Sequence, residues 1–270
     1  MSIYLERSFP AAHTIQKAEE RGETRMPSIY LSPSAQEGNY YVTGPSEEAV
    51  MNRLADAMEP YLAASGFTVR RNRPDMTVNE IIRDSNRGAV DLHVALHSNA
   101  APEGKYGTQR GIVAYYYPGS AKGKRAAEIL ARSLAEVYPS PALVRADSYT
   151  RLGELRYTKA PSVFLEIGYH DNEQDAAWIE RNLDAIARAV VRGLTEYFGI
   201  PFVEPGAGRT ASVSSGGGNL NLRERPNTGA RILASIPDKT RLLVTNAGNG
   251  WYRTNYGGRS GYVSGEYLRF

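Results

Sequence analysis

Five positions in the chain combine residue types that can do hydrolytic chemistry: Gln36, Glu47 or Glu48, His97, Asn99 and Glu166. Each sits where an apolar run ends or a helix begins. Gln36 closes the polar stretch Ser32-Pro-Ser-Ala-Gln36 after one apolar run, and His97-Ser-Asn99 closes another. An imidazole beside carboxylates suits zinc or a similar ion, and one further carboxylate can serve as general base. Glu166 carries the most weight. It lies inside Ser162–Ile167, otherwise an apolar strand, and a carboxylate buried there must be paired or used, because burying it alone is costly. The remaining positions also admit simpler readings. A histidine at a strand end is often a hydrogen-bonded structural group, and a glutamate opening a helix complements its dipole.

The elements that must position these residues follow from periodicity. Ser28–Leu31, Phe67–Arg70, Val90–Leu96, Gly111–Tyr117 and Ser162–Ile167 read as strands. Apolar residues at helical spacing (Val50, Met51, Leu54, Ala55, Met58, Leu62) mark a helix over 46–64, with Ser46 as N-cap. Thr77 and Glu80 form the signature of a capping box opening a helix over 78–87. Ser120 to Val137 and Asp175 to Phe198 read as two long helices. Strands alternating with helices imply an α/β fold with a mostly parallel sheet flanked by helices, and ligands bind such sheets beyond the carboxyl ends of the strands.

Pro201 to Gly218 is rich in Pro, Gly and Ser and reads as a linker. Beyond it come five short β-type runs separated by turns, which imply a small all-β barrel. The expected organisation is an N-terminal extension over 1–27, a catalytic domain over 28–200, a linker over 201–217 and a barrel over 218–270.

Composition narrows the function classes. The 270 residues carry 32 basic and 29 acidic side chains, a net charge of +3, too little to argue for nucleic acid. There is no cysteine, which excludes disulfides, thiol nucleophiles and Cys-ligated zinc. No run of about 18 apolar residues indicates a membrane span. The first residues lack the pattern of a standard secretory signal. A monomer is expected.

The region from about Ser28 to Phe198 resembles the zinc-dependent N-acetylmuramoyl-L-alanine amidases with a phosphorylase/hydrolase-like sheet. The resemblance rests on Leu96-His-Ser-Asn-Ala100, similar to the family's Ser-Ile-His-x-Asn-Ala, and on Ala160-Pro-Ser-Val-Phe-Leu-Glu-Ile-Gly-Tyr169, similar to its Pro-x-x-Leu-x-Glu-x-Gly-Phe. Leu155-Arg-Tyr-Thr158 and Asn172 match in the same order. The resemblance implies cleavage of the amide between N-acetylmuramic acid and L-alanine in peptidoglycan. It implies a zinc ion held by His, Glu and His, with a second Glu as catalytic residue. His97 matches the second His and Glu166 the catalytic Glu. Glu48 matches the metal Glu, since Asn52 then falls four residues on as in the family's Glu-x-x-x-Asn; Glu47 is the alternative. Asn99 and Arg156 are candidates to hold substrate or orient Glu166.

The chain departs from the family at the first His. Where the family has Leu-Asp-Pro-Gly-His-Gly, this sequence has Leu31-Ser-Pro-Ser-Ala-Gln36. In one reading Gln36 supplies an amide oxygen, a weaker and neutral zinc ligand. In the other the metal site is lost, and the domain binds wall fragments without cutting them. A metallopeptidase of peptide stems shares the same metal logic. A clade of spore-former amidases resembles this Ser-Pro-Ser-x-Gln form. The sequence leaves open whether the setting is sporulation, autolysis or a phage endolysin; a cell-wall, spore-associated or extracellular site of action is implied.

Of the other histidines, His93 is four residues from His97 on one strand, roughly 13 Å away and too far to share a metal, so it reads as structural. His170 follows the Glu166 strand and is a candidate to line the cleft. His13 lies in the extension and has no assigned role. Residues 218–270 resemble a bacterial SH3-like wall-binding module through Leu220-Asn-Leu-Arg223, Asn249-Gly-Trp-Tyr252 and Gly261-Tyr-Val-Ser264. Trp251, Tyr252 and Tyr262 are its candidate wall-binding residues, with core packing as the alternative.

Overall fold

A computed structural model describes residues 26–206, 208–247, 250–257 and 259–270. His13, Asn249 and nearly all of the expected extension lie outside the described residues. No helix among the described residues is long and apolar enough to cross a membrane.

The first domain is a six-stranded sheet. In chain order its elements are β1 (Ser28–Pro33), α1 (Glu47–Ala64), β2 (Thr68–Arg71), α2 (Val78–Arg87), β3 (Leu92–Asn99), β4 (Ile112–Tyr116), α3 (Ala121–Ala135), β5 (Val144–Ser148), α4 (Gly153–Arg156), β6 (Ser162–Tyr169), α5 (Glu173–Arg181) and α6 (Leu183–Phe198). The strand order is β2-β1-β3-β6-β4-β5. All neighbouring pairs are parallel except β4 with β6. The expected caps are present. Ser46 accepts from the Ala49 amide, and Thr77 with Glu80 closes a capping box.

Three differences from the sequence reading have simple causes. Strand β5, Val-Arg-Ala-Asp-Ser, was not anticipated, because only every second residue is apolar and the strand sits at the sheet edge. The helix expected over 175–198 is two helices, broken at Asn182, whose φ of −123° leaves the helical region. The segment 209–213, assigned to the linker, is strand β7 of the second domain. Phe202, also in the expected linker, packs against the first domain's core and stacks on Tyr61.

Helices α1, α3 and α6 bury one face of the sheet with Leu31, Leu54, Leu96, Leu130, Leu165 and Val190 among the fully buried side chains. The other face is covered unevenly. Leu155 of α4 packs with Ala95 and Phe164, and Ser85 of α2 bonds His93. Beyond β6 this face opens, and Arg145, Asp147 and Tyr149 are exposed.

Asp175, fully buried, joins the two sides. It accepts from the Gly111 and Tyr169 amides, Arg110 Nε and the Tyr138 hydroxyl at 2.6–3.1 Å. Gly111, which leads into β4, has φ +116°, and a Cβ there would lie 2.4 Å from the Leu143 carbonyl oxygen. Gly111→Ala should therefore destabilise the domain by about 1–3 kcal/mol, from strain alone. Urea unfolding with the slope unchanged and the midpoint lowered would show it; an unchanged midpoint would mean the loop relaxes freely.

The second domain is an antiparallel sheet in the order β13-β7-β10-β11-β12-β8-β9, formed by β7 (Arg209–Val213), β8 (Asn219–Arg223), β9 (Ile232–Pro237), β10 (Arg241–Asn246), β11 (Trp251–Tyr256), β12 (Arg259–Ser264) and β13 (Leu268–Arg269). Val213, Leu222, Ile236, Val244 and Val263 form its core.

Candidate active site

The site is built on one face of β3 and β6. His97 and Glu166 are direct cross-strand neighbours, so their side chains share a face. The His97 ring lies flat on Phe164, centroids 4.1 Å apart. Its two nitrogens meet two carboxylates. Nδ1 donates to Glu47 Oε1 at 2.8 Å, and Nε2 faces Glu154 Oε1 at 3.6 Å. Burial alone would lower the imidazole's pKa, but the bonds to Glu154 and Glu47 outweigh it and push it up to about 10. Burial would likewise raise both carboxylates, yet their histidine partners hold Glu47 and, more strongly, Glu154 below the ordinary range. Protein alone thus forms a carboxylate–imidazolium–carboxylate row.

Around Nδ1 the sequence-predicted residues converge, with one exchange. Gln36 Nε2 is 3.4 Å from Nδ1, and a half-turn of the amide would put its oxygen there instead. Asn39 donates to both Gln36 Oε1 (2.8 Å) and Glu47 Oε2 (2.9 Å). The carboxylate beside His97 is Glu47 and not Glu48. Adjacent helical residues point about 100° apart, and the first residue of α1 is the one turned inward, 1% exposed. Glu48 is half-buried and accepts from Asn52 at 3.5 Å. Among the described residues no group of three His, Cys, Asp or Glu side chains could hold a metal ion; a three-donor set at Nδ1 requires the Gln36 amide.

Glu166 faces this group without bonding to it. Its Oε2 is buried and has no hydrogen-bond partner. Burial raises its pKa to about 7, with the His97 charge opposing and the Glu47 charge adding. A carboxyl group poised near neutrality and free of partners can take up and return a proton.

Glu154 was missed by the sequence reading. Its Oε2 accepts from Ser32 Oγ (2.6 Å) and His93 Nε2 (2.8 Å), and His93 Nδ1 meets Ser85 Oγ at 3.0 Å. The available signal was His93 itself, an imidazole in an apolar strand that needs a polar partner. His93 has the structural place expected of it.

Other candidates fall elsewhere. His170 is buried, with Nδ1 on the Ser98 carbonyl and hydroxyl and its ring against Tyr41. Arg156 is exposed over the Tyr157 ring and lines a 360 Å³ cavity with Lys122, Lys159 and Ser162, at the opposite end of β6 from Glu166. Asn99 ends β3, its side chain accepting from the Ala100 amide. In the barrel, Trp251 and Tyr252 are half-buried, Tyr252 against the barrel core and Phe270. Tyr262 lines a 190 Å³ cavity with Glu59 and Arg71. The aromatics that stand out into solvent are Tyr267 and Phe270.

A helix-covered, mainly parallel sheet with an imidazole, two carboxylates and an amide gathered at its strand ends has the layout of a hydrolytic α/β domain. Comparison with known families gives the group: residues 30–196 match the N-acetylmuramoyl-L-alanine amidase model and residues 218–269 a bacterial SH3 domain, so the chain belongs to the N-acetylmuramoyl-L-alanine amidase family. It is 27% identical over 150 residues to the probable cell wall amidase LytH of Staphylococcus aureus, a match covering 54% of this chain and 48% of that one. The chain thus matches about half the length of that curated relative. Among solved structures, its fold is similar to an N-acetylmuramoyl-L-alanine amidase of Clostridium difficile 630 (TM-score 0.58, 19% identity, 65% of this chain and 98% of that one). It is also similar to AmiC2 of Nostoc punctiforme (TM-score 0.56, 18% identity, 64% and 97%).

Proposed function

We propose that this protein hydrolyses the amide between N-acetylmuramic acid and L-alanine in peptidoglycan, acts at the cell wall, and uses its barrel for wall affinity. The observation that carries the reading is Glu166, whose Oε2 is buried without a hydrogen-bond partner and whose pKa lies near 7, set beside His97 by strand register.

The donor set at Nδ1 fits a zinc ion held by Gln36, Glu47 and His97, three ligands with a position left open. Such an ion, when bound, polarises a carbonyl and lowers the pKa of water. The chain's own residues supply the rest. The Nε2–H is directed at the Glu154 carboxylate, which stays ionised and so leaves Nδ1 as the ligating nitrogen. Asn39 holds Glu47 in place. Glu166 removes a proton from the attacking water, the carbon–nitrogen bond breaks, and the same proton passes to the leaving L-alanine amine.

The test is to measure the metal content of the purified protein and the new amino ends it releases from purified peptidoglycan. Bound zinc with new L-alanine amino termini supports the reading. Other amino termini would indicate a stem peptidase. Wall binding with neither metal nor release would indicate a silent binding protein.

A further inference from the structure

The row that pairs His97 with Glu166 continues across two more strands. Glu166 pairs with Val113 of β4, and Val113 with Arg145 of β5. Residues in direct register share a face, and Val144 and Ala146, on either side of Arg145, pack on the main core. Arg145 therefore stands on the Glu166 face, roughly 10 Å away at the backbone, from two strand spacings of about 4.8 Å each.

Arg145 is exposed, and among the described residues no carboxylate comes within ion-pair distance of it, including Asp147 two residues on. Its charge still acts where that of Glu166 acts. Burial raises the Tyr115 and Tyr169 phenols, Arg145 pulls both down, and Glu166 pushes both up. Val113 lies between the two charges, and the next row of the same face is aromatic. Phe164, under His97, is in register with Tyr115, and the Tyr115 ring meets Tyr149 at 5.2 Å. An unpaired guanidinium beside this aromatic row is a planar, two-pronged donor for a carboxylate.

We propose that Arg145 anchors a free carboxylate on the peptide portion of the substrate, two to three residues beyond the scissile amide. The inference rests on Glu166 marking the reacting centre. The spacing supports it: an extended peptide advances about 3.3 Å per residue, so two to three residues cover the gap once the reach of the arginine side chain is counted.

Two ligand series test this. Muramoyl-L-alanyl peptides carry either a carboxylate or its carboxamide, in one series at the second residue and in the other only at the peptide's C-terminus. For the parent, the free acid at the second residue should be preferred. Arg145→Ala should raise KM for that acid about tenfold or more, as for loss of a charged hydrogen bond. It should leave kcat and the KM of the amide nearly unchanged, with partial rescue by Arg145→Lys. The same ligands titrated into Glu166→Gln protein give Kd without turnover. An acid-to-amide Kd ratio that is unchanged by Arg145→Ala overturns the assignment, and so does a preference that follows only the C-terminal carboxylate. Arg145-dependent binding of the acid without hydrolysis by the parent overturns the amidase reading and leaves the anchor standing.

Discussion

Glu166→Gln should fold normally and lose hydrolysis of muramoyl-L-alanine amides by about 10²–10⁴-fold, the usual contribution of a general base. The carboxamide keeps the shape of the side chain but cannot hold the travelling proton. A second readout separates loss of chemistry from loss of structure. In the metal-free protein, Glu166 titrates near 7 against an ordinary value of 4.5. Below 4.5 the folded and unfolded chains both bind this proton. Between 4.5 and 7 only the folded chain holds it, so this group's contribution to stability falls as pH rises and reaches its full penalty above 7. Glu166→Gln removes that penalty, so after chelation the variant should be more stable than the parent above pH 7, with the gap closing toward pH 4.5. Urea midpoints across that range report it. Near-parental turnover would remove Glu166 from its role, and equal midpoints at high pH would place its carboxylate in water.

The next largest effect concerns two neighbouring residues of α1. Glu47→Ala should weaken zinc binding by at least about 10–100-fold, the range seen when even an outer partner of a metal site is removed, and hydrolysis should fall with it. Glu48→Ala should keep both, since its carboxylate lies with Asn52 and not with His97. Calorimetric titration of zinc into each variant decides the matter. Loss in Glu48→Ala with retention in Glu47→Ala would reverse the assignment.

That pair shows how far the sequence could be read. The sequence favoured Glu48 with Glu47 as the alternative, and it is Glu47 that lies beside His97. Choosing between the two required the direction of α1 relative to β3, which is a property of packing and leaves no mark on spacing. Glu166 was legible because a charge inside an apolar strand demands an explanation. Its closeness to His97 became visible only through the register of β3 with β6. Glu154 was hidden because the four-residue helix that carries it, Gly-Glu-Leu-Arg, is too short to show a period. Strand β5 was hidden for a related reason, and with it Arg145. The alternation of helix and strand and the capping residues were legible, because each depends on residues close together in the chain. The break at Asn182 was not, because both helices bury apolar faces against the same core.

Strand β5 and the end of β4 are packed on one side and more open on the other, and this divides their residues into two inheritances. Ile112, Ala114, Val144 and Ala146 answer to the core, while Tyr115, Arg145 and Asp147 answer to whatever arrives from outside. Because the pleat alternates strictly, a lineage can rewrite the second set while the first stays fixed, with little change in the energy of folding. Related chains that meet walls of different chemistry should therefore diverge at every other position along these two strands, and a designer wishing to redirect the protein would find the permissive positions already interleaved with the forbidden ones.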